Sequence, residues 1–185
     1  MRRTARRIIT LTATSLAVCL SAMVFANAAT ASAPSGKISP ADACTIVTAK
    51  QVARFGKPVG PPTQEPAKLD CKFPIGQDPA AVPGGTFTAL VLYPNPFAAK
   101  VDDAQAGLED QFAIDKLSGQ TVEDVSGLGT SAFFNRTNGY VAFAANKKIG
   151  VILRWEPAPT GTAMTKRDQK KLIALAKDVT KRANG

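Results

Sequence analysis

Histidine is absent from the 185-residue sequence, and this absence excludes whole classes of chemistry. Ser-His-Asp and Cys-His catalysis need an imidazole base, and the common zinc hydrolases need imidazole ligands. Cysteine is scarce as well, with three residues in the chain and no Cys-x-x-Cys spacing. That spacing is typical of thiol redox sites and zinc sites. We therefore expect no catalytic residue set, no cofactor and no metal site.

A long apolar stretch occurs only at the start of the chain. Four arginines and no acid precede residues 8–25, which carry no charge, and small residues including Ala26 and Ala28 follow. A basic start, an apolar middle and a small-residue end are typical of a secretory signal peptide. We predict cleavage after Ala28. The alternative is a membrane anchor, but Thr and Ser residues dilute the apolar run and no basic cluster follows it.

Cys19 lies inside this apolar stretch and raises the question of lipid attachment. A lipoprotein signal has a small residue before the modified cysteine, whereas Val18 occupies that position here and the chain stays hydrophobic afterwards. We therefore interpret Cys19 as part of the removed signal peptide, with lipidation as the alternative.

Removal of residues 1–28 leaves a less basic chain with one pair of cysteines. The segment holds four of the 23 basic residues and none of the 14 acids, so the formal net charge falls from +9 to +5. Cys44 and Cys71 remain, and in an exported protein we expect them to form a structural disulfide. A free thiol pair is the alternative. The predicted location is secreted or in the cell envelope, outside the cytoplasmic membrane.

The alternation of periodic segments and turns predicts one α+β domain. We assign residues 1–28 to the signal peptide, 29–39 to a flexible tether and 40–185 to the domain. The predicted order is α-β-β-α-β-β-β-β-α, with an antiparallel sheet of five to six strands and helices packed on it. We expect a monomer that keeps no stable transmembrane helix after cleavage.

Sequence periodicity and turn residues place the individual elements. Residues 41–55 are predicted as one helix with Thr48 as an internal N-cap and Gly56 as its end. The other two helices are predicted over residues 97–117 and 165–182. The predicted strands cover residues 70–75, 86–93, 120–125, 131–135, 140–144 and 150–155.

Four groups of residues could carry chemistry, although each has a plainer interpretation as a solvated face, a turn or core packing. They are the acidic pairs Asp102-Asp103 and Glu109-Asp110, the serines Ser118, Ser126 and Ser131, the segment Gly127-Leu128-Gly129, and the aromatics Tyr93, Tyr140 and Trp155. The serines have no histidine partner, and the glycine segment lacks the Lys-Ser/Thr of a phosphate-binding loop. We therefore assign no catalytic role to any of them.

The last predicted helix is strongly basic. We predict that its seven cations share one outer half of the helix: Lys166, Arg167, Lys170, Lys171, Lys177, Lys181 and Arg182. The residues on the opposite, inner side are apolar, as expected for a helix packed on a sheet: Leu172, Leu175, Ala176 and Val179 share one face. A solvated surface is one interpretation, and electrostatic attachment to anionic lipid or wall polymer is the other. Nucleic acid is not an expected partner.

Three segments resemble an actinobacterial family of exported proteins, many of them lipoproteins, known as a domain of unknown function. They are Ala43-Cys44-Thr45-Ile46-Val47-Thr48, Cys71-Lys72-Phe73, and Val125-Ser126-Gly127-Leu128-Gly129-Thr130-Ser131-Ala132. The resemblance implies one α+β domain in the cell envelope and no known activity. The chain also looks loosely like extracellular sensor domains of actinobacterial receptor kinases. It differs from the family at the lipid attachment site, where Val18 stands.

These observations favour a non-enzymatic ligand-binding or sensor-like module with an unknown ligand. One alternative is an enzyme that uses Ser, Lys, Asp or Tyr without histidine. The other is an interaction protein that attaches to an anionic envelope component through the basic helix.

Overall fold

The structure, a computed structural model, describes residues 38–39, 42–64, 69–76, 84–93, 103–128 and 131–184. The predicted signal peptide, its cleavage site at Ala28, and Cys19 lie outside these residues. Within the described ranges, no helix is both long enough and apolar enough to cross a membrane.

Among the described residues, seven strands form one antiparallel sheet, in the spatial order β1-β2-β3-β7-β6-β5-β4. In chain order they are β1 (Thr63–Gln64), β2 (Asp70–Ile75), β3 (Gly85–Tyr93), β4 (Val122–Asp124), β5 (Ala132–Asn135), β6 (Tyr140–Asn146) and β7 (Ile149–Pro157). This architecture confirms the predicted α+β fold with an antiparallel sheet. The expected number of five to six strands was too low, because Thr63 and Gln64 pair with β2 at the edge.

In the described part of the chain, four helical segments pack on the sheet. They are a short 3₁₀ helix (Ala43–Thr45), α1 (Ala49–Val52), α2 (Ala104–Leu117) and α3 (Lys166–Asn184). The prediction of one helix over residues 41–55 was wrong, because Thr48 has extended backbone angles that interrupt it. Thr48 acts as the predicted N-cap: its hydroxyl accepts from the Gln51 amide, and the Gln51 side chain accepts from the Thr48 amide.

Alternating residues along the strands give the sheet two faces. On the α3 face, the 3₁₀ helix, α1 and α3 cover an apolar core that includes Phe87, Phe143 and Leu153. On the α2 face, a smaller apolar cluster that includes Phe133, Ala142 and Ile152 lies beneath α2. The sheet is therefore a middle layer with a different covering on each side.

Cys44 and Cys71 form the disulfide expected from the sequence, with a Cα–Cα distance of 5.0 Å. The bond joins the 3₁₀ helix to β2, and Cys71 is completely buried in the core of the α3 face. It therefore fastens the amino-terminal helical segment to the sheet.

Helix α3 begins after Thr165, whose hydroxyl oxygen accepts from the Asp168 amide at 3.1 Å. Its four predicted inner residues are completely buried: Leu172, Leu175, Ala176 and Val179. The prediction that all seven cations share the outer half was wrong for Lys171 and Arg182, as their contacts show.

Lys171 and Arg182 both turn toward the body of the protein. Lys171 Nζ lies 3.2 Å from Asp168 Oδ1 and 5.7 Å from the centre of the Phe55 ring. Arg182 donates to the backbone carbonyls of Thr45 and Ile46, at the end of the 3₁₀ helix. Burial lowers the pKa of the Arg182 guanidinium below its ordinary value. These two cations are structural contacts rather than parts of the outer surface.

Candidate functional site

A groove with a volume of about 510 Å³ lies on the α2 face, between α2 and the strands at the β4 edge of the sheet. It is lined by Leu108, Glu109, Phe112, Asp124, Val125, Ser126, Ser131, Ala132 and Phe133. This volume falls within the range of small-molecule sites in proteins. Its lining combines an apolar base with polar groups at the margin.

Helix α2 forms one wall of the groove and is attached to the sheet near both ends. At its start, Asp103 accepts from the Gln105 amide at 2.9 Å, and the Ala104 amide donates to the Lys147 carbonyl at 3.1 Å. Ala104 and Leu108 are buried against the sheet. Near its end, Asp115 makes the second attachment through buried hydrogen bonds.

Asp115 is a buried carboxylate, 2% exposed, on the sheet side of α2. Its Oδ2 accepts from the Tyr140 hydroxyl and, at 2.8 Å, from Asn135 Nδ2, while its Oδ1 accepts from Gln111 Nε2 at 2.9 Å. We call these four residues the Asp115 network. Buried carboxylates need such donors because desolvation without them is costly. The network therefore fixes α2 over β5 and β6.

Tyr140 is the most perturbed titrating group of this face. Burial, and then the hydrogen bond and the charge of Asp115, raise the pKa of its phenol well above the ordinary value of about 10. Tyr140 is therefore a neutral donor throughout the physiological range. Its role is to hold the Asp115 carboxylate, and it lies outside the groove lining.

Phe112 and Phe133 form the aromatic base of the groove. Their rings meet edge to face, with 5.2 Å between the centroids. Lys116 Nζ lies 4.3 Å from the centre of the Phe112 ring, in a cation–π contact. Phe133 is almost fully buried and Phe112 is half-buried, so a bound molecule would meet a firm apolar surface.

The opposite wall is formed by the turn after β4 and by the start of β5. The Val125 amide donates to the Ala132 carbonyl at 2.9 Å, which closes the base of this turn. Gly127 has a φ of +77°, a conformation that L side chains rarely adopt. Leu128 is completely buried in the core of the α3 face. The turn is thus anchored, and it holds the hydroxyl of Ser126 at the margin.

Glu109 and Asp124 give the groove its charge. Both side chains are exposed, and neither makes an ion pair with a described residue. Glu109 Oε1 accepts from Gln105 Nε2 at 2.9 Å. No lysine or arginine is among the nine lining residues. The groove therefore has an acidic margin above an apolar base.

The structure brings together groove residues that the sequence places far apart. Glu109, expected on a solvated face, lies at the margin together with Ser126 and Ser131. Asp110 is exposed outside the groove, and Asp102 lies outside the described residues. Ser118 does not line the groove. Its hydroxyl donates to the Ile114 carbonyl at the end of α2.

The aromatic residues and the glycine segment mostly take structural roles. Trp155 is buried in the core, 5.3 Å from Phe55 between ring centres. Tyr93 belongs to β3, but its side chain lies outside the described set. Gly127 forms the turn described above, while Gly129 is not among the described residues.

Sequence reasoning missed the Asp115 network altogether. The available signal was spacing: Leu108, Phe112 and Asp115 follow at steps of four and three, which places them on one helix face. An acidic residue on the same helix face as buried apolar residues is itself buried, and its carboxylate then needs hydrogen-bond donors. Gln111 lies on the same helix, but the other two donors, Asn135 and Tyr140, come from β5 and β6, 20 and 25 residues further along the chain, and the sequence does not reveal them.

A second cavity, of about 240 Å³, lies beside the ends of β6 and β7. Its two arginines already have carboxylate partners: Arg136 Nε lies 2.5 Å from Glu123, and Arg154 Nη2 lies 2.7 Å from Glu156. Its charges are thus largely neutralised, unlike those of the groove. Over the described parts of the chain, no three His, Cys, Asp or Glu side chains gather as a metal site would require.

Comparison with known proteins finds no matching family model, no matching curated protein and no matching solved structure. The resemblance to the actinobacterial family of exported proteins therefore stays a prediction from the three motifs.

Proposed function

We propose that this protein is a ligand-binding module that works outside the cytoplasmic membrane and holds a small amphipathic molecule in the groove. The observation that carries the proposal is the combination of an aromatic base with two carboxylates that have no described ion-pair partner. The apolar part of the ligand lies on Phe112 and Phe133. A protonated amine at its other end lies near Glu109 and Asp124.

Both walls of the groove are fixed in place without a ligand, which supports binding at a preformed site. Helix α2 is attached by the Ala104 amide at one end and by the Asp115 network at the other. The facing turn is anchored by Leu128. A site held in this way loses little conformational entropy when the ligand enters, which favours affinity.

The disulfide supports the extracytoplasmic location, because such bonds persist in oxidising compartments and are rare in the cytosol. The signal peptide and secretion remain predictions from residues 1–28. The motif resemblance to exported proteins points to the same compartment.

Binding is favoured over turnover by the exposure of the groove carboxylates. A catalytic acid or base usually lies in a desolvated environment that tunes its protonation. Glu109 and Asp124 are exposed, and neither lysine nor histidine lines the groove beside Ser126 and Ser131. These residues suit the recognition of charge and hydroxyl groups rather than a nucleophilic mechanism.

Isothermal titration calorimetry with octylamine, octanol and octanoate tests the proposal, because these probes share one alkyl chain and differ in charge. We expect octylamine to bind most tightly, with about a fivefold advantage over octanol from the exposed carboxylates. Ser131→Trp, which fills the groove, should abolish binding of all three probes. Equal affinity for octanoate and octylamine, or no binding of any probe, would overturn the proposal.

Two neighbouring acids of β4 provide a matched pair of variants. Asp124 lines the groove, whereas Glu123 points to the other face and pairs with Arg136. Asp124→Asn, which leaves Glu109 as the remaining groove carboxylate, should reduce the preference for octylamine, and Glu123→Gln should leave it unchanged. Hydrolysis of p-nitrophenyl octanoate that disappears in Ser131→Ala would instead favour the enzyme alternative.

A further inference from the structure

The outer surface of α3 carries a row of cations that we call the basic stripe. It consists of Lys166, Arg167, Lys170, Lys177 and Lys181, all exposed. Four of its lysines follow at steps of four, seven and four residues, so they share one face of the helix. None of the five makes an ion pair with any residue in the described ranges.

The acids of α3 do not neutralise the basic stripe. Asp168 is paired with Lys171 at 3.2 Å, and Asp178 is paired with Arg54 of the segment after α1 at 2.5 Å. Both partners lie outside the basic stripe. The two acids are thus committed to cations that hold the fold together, and the charge of the stripe stays uncompensated.

The basic stripe is unsuited to membrane insertion. An amphipathic helix that enters a bilayer does so with its apolar face, and here Leu172, Leu175 and Val179 are completely buried against the sheet. The large exposed hydrophobic residues of the described chain are Val59, Ile114 and Leu117, and none belongs to α3. The stripe therefore presents charge without an apolar anchor.

The length and spacing of the stripe suit a linear partner. From Lys166 to Lys181 the helix advances about 22 Å, with a cation about every 6 Å where the step is four residues. A flexible chain with regularly repeated negative charges can lie along such a row and release counterions from each contact. A compact anion of one or two charges would meet only part of it.

We propose that the basic stripe binds a linear, phosphate-bearing anionic polymer of the cell envelope, independently of the groove. The stripe runs along the outer surface of α3, and the groove lies on the α2 face, with its lining made of other residues. Lys177 Nζ lies beside Gly127, in the turn after β4. The protein would then be retained along an anionic polymer while the groove stays open to its own ligand.

Length-fractionated inorganic polyphosphate is the probe, with affinity measured by fluorescence anisotropy of labelled protein over a range of salt concentrations. Lys170→Gln/Lys177→Gln should weaken binding by about tenfold at low salt and reduce the slope of log affinity against log salt by about 1.4. Lys57→Gln/Lys148→Gln, which removes the same charge from exposed lysines outside both the stripe and the groove lining, should change neither value. Lys170→Arg/Lys177→Arg should keep full binding.

Three outcomes would overturn the proposal. One is the absence of binding to polyphosphate by the unaltered protein. Another is an equal loss of affinity in the two double Gln variants, which would show that net charge alone is responsible. The third is tighter binding to vesicles of equal parts phosphatidylglycerol and phosphatidylcholine, at matched phosphate concentration, than to polyphosphate. Octylamine binding in the groove should be the same in all the variants.

Discussion

The two faces of the sheet are built on different principles. The α3 face is dry: its buried residues are almost all apolar, and a disulfide joins two of its elements. The α2 face has a smaller apolar cluster, a buried carboxylate and an open groove. One side of the sheet therefore supplies stability through apolar packing, which allows the other side to hold a buried carboxylate and an open groove.

The largest effect is expected from matched leucine truncations on the two faces. Leu175→Ala on the α3 face should lower the free energy of unfolding by about 4 kcal/mol, because a close-packed core cannot collapse around the cavity. Leu108→Ala on the α2 face should cost about 3 kcal/mol, since neighbours and water of the groove can fill the space. Urea unfolding of both variants measures the difference, and an equal or reversed order would contradict the comparison.

Removal of the disulfide should be the next largest effect. Cys44→Ser/Cys71→Ser frees the loop between the two residues in the unfolded chain, at a cost of roughly 3.5 kcal/mol. The loss should appear in chemical denaturation, and reduction of the unaltered protein should reproduce it. Octylamine affinity should be unchanged at temperatures where the variant is folded, because the bond lies on the face opposite the groove.

Loss of the buried carboxylate should destabilise the α2 face by a smaller amount. Asp115→Ala leaves the donors of Tyr140, Asn135 and Gln111 without their acceptor, at a cost of about 3 kcal/mol. Asp115→Asn, which keeps one oxygen acceptor, should cost about half as much. Thermal unfolding compares the two, and amide hydrogen exchange should show faster opening of α2 in the alanine variant. Unchanged protection of α2 would contradict its proposed attachment.

Alkaline pH should act on the same network through Tyr140. Its pKa is raised in the folded protein, so the unfolded state loses the phenolic proton first. Stability is therefore complete below about pH 10 and falls above it, by up to about 1.4 kcal/mol per pH unit. Tyr140→Phe should have a shallower dependence. Absorbance at 295 nm in Tyr93→Phe, where Tyr140 is the remaining tyrosine, should rise together with unfolding and not before it.

The smallest effect is expected at the surface of the α3 face. Arg54 and Asp178 form an ion pair, but their side chains are 36% and 40% exposed. Solvent screening limits such a pair, so Arg54→Met should cost about 0.5 kcal/mol. A double-mutant cycle with Asp178→Asn measures the coupling energy between the two side chains. A coupling above about 2 kcal/mol would contradict the expectation that an exposed ion pair contributes little to stability.

The sequence predicts the α3 face better than the α2 face. Apolar periodicity placed Leu172, Leu175 and Val179 correctly, because burial of an amphipathic helix depends on local spacing. Arg182 was misplaced, since its acceptors are carbonyls at the end of the 3₁₀ helix, far away in sequence. The spacing of apolar residues therefore predicts which side of a helix is buried, but it does not predict which basic side chain bonds to a distant part of the fold.

The groove depends on long-range pairing that no local pattern contains. Glu109 and Ser131 line the same groove because β4 and β5 form a hairpin beside α2. Ser126 is held at the margin by the burial of Leu128, an anchor on the opposite face of the sheet. The sequence contains no motif that predicts which distant residues line the groove, although it does predict the turn at Gly127.

The attachment of α2 at both ends has a consequence for the time course of binding. A wall that is already in place leaves no slow closing step between encounter and complex. The observed association rate in stopped-flow measurements should therefore rise linearly with ligand concentration, without the plateau that marks a rate-limiting conformational change. In Asp115→Ala, where α2 can detach, a plateau should appear, and its height would report how often the groove assembles.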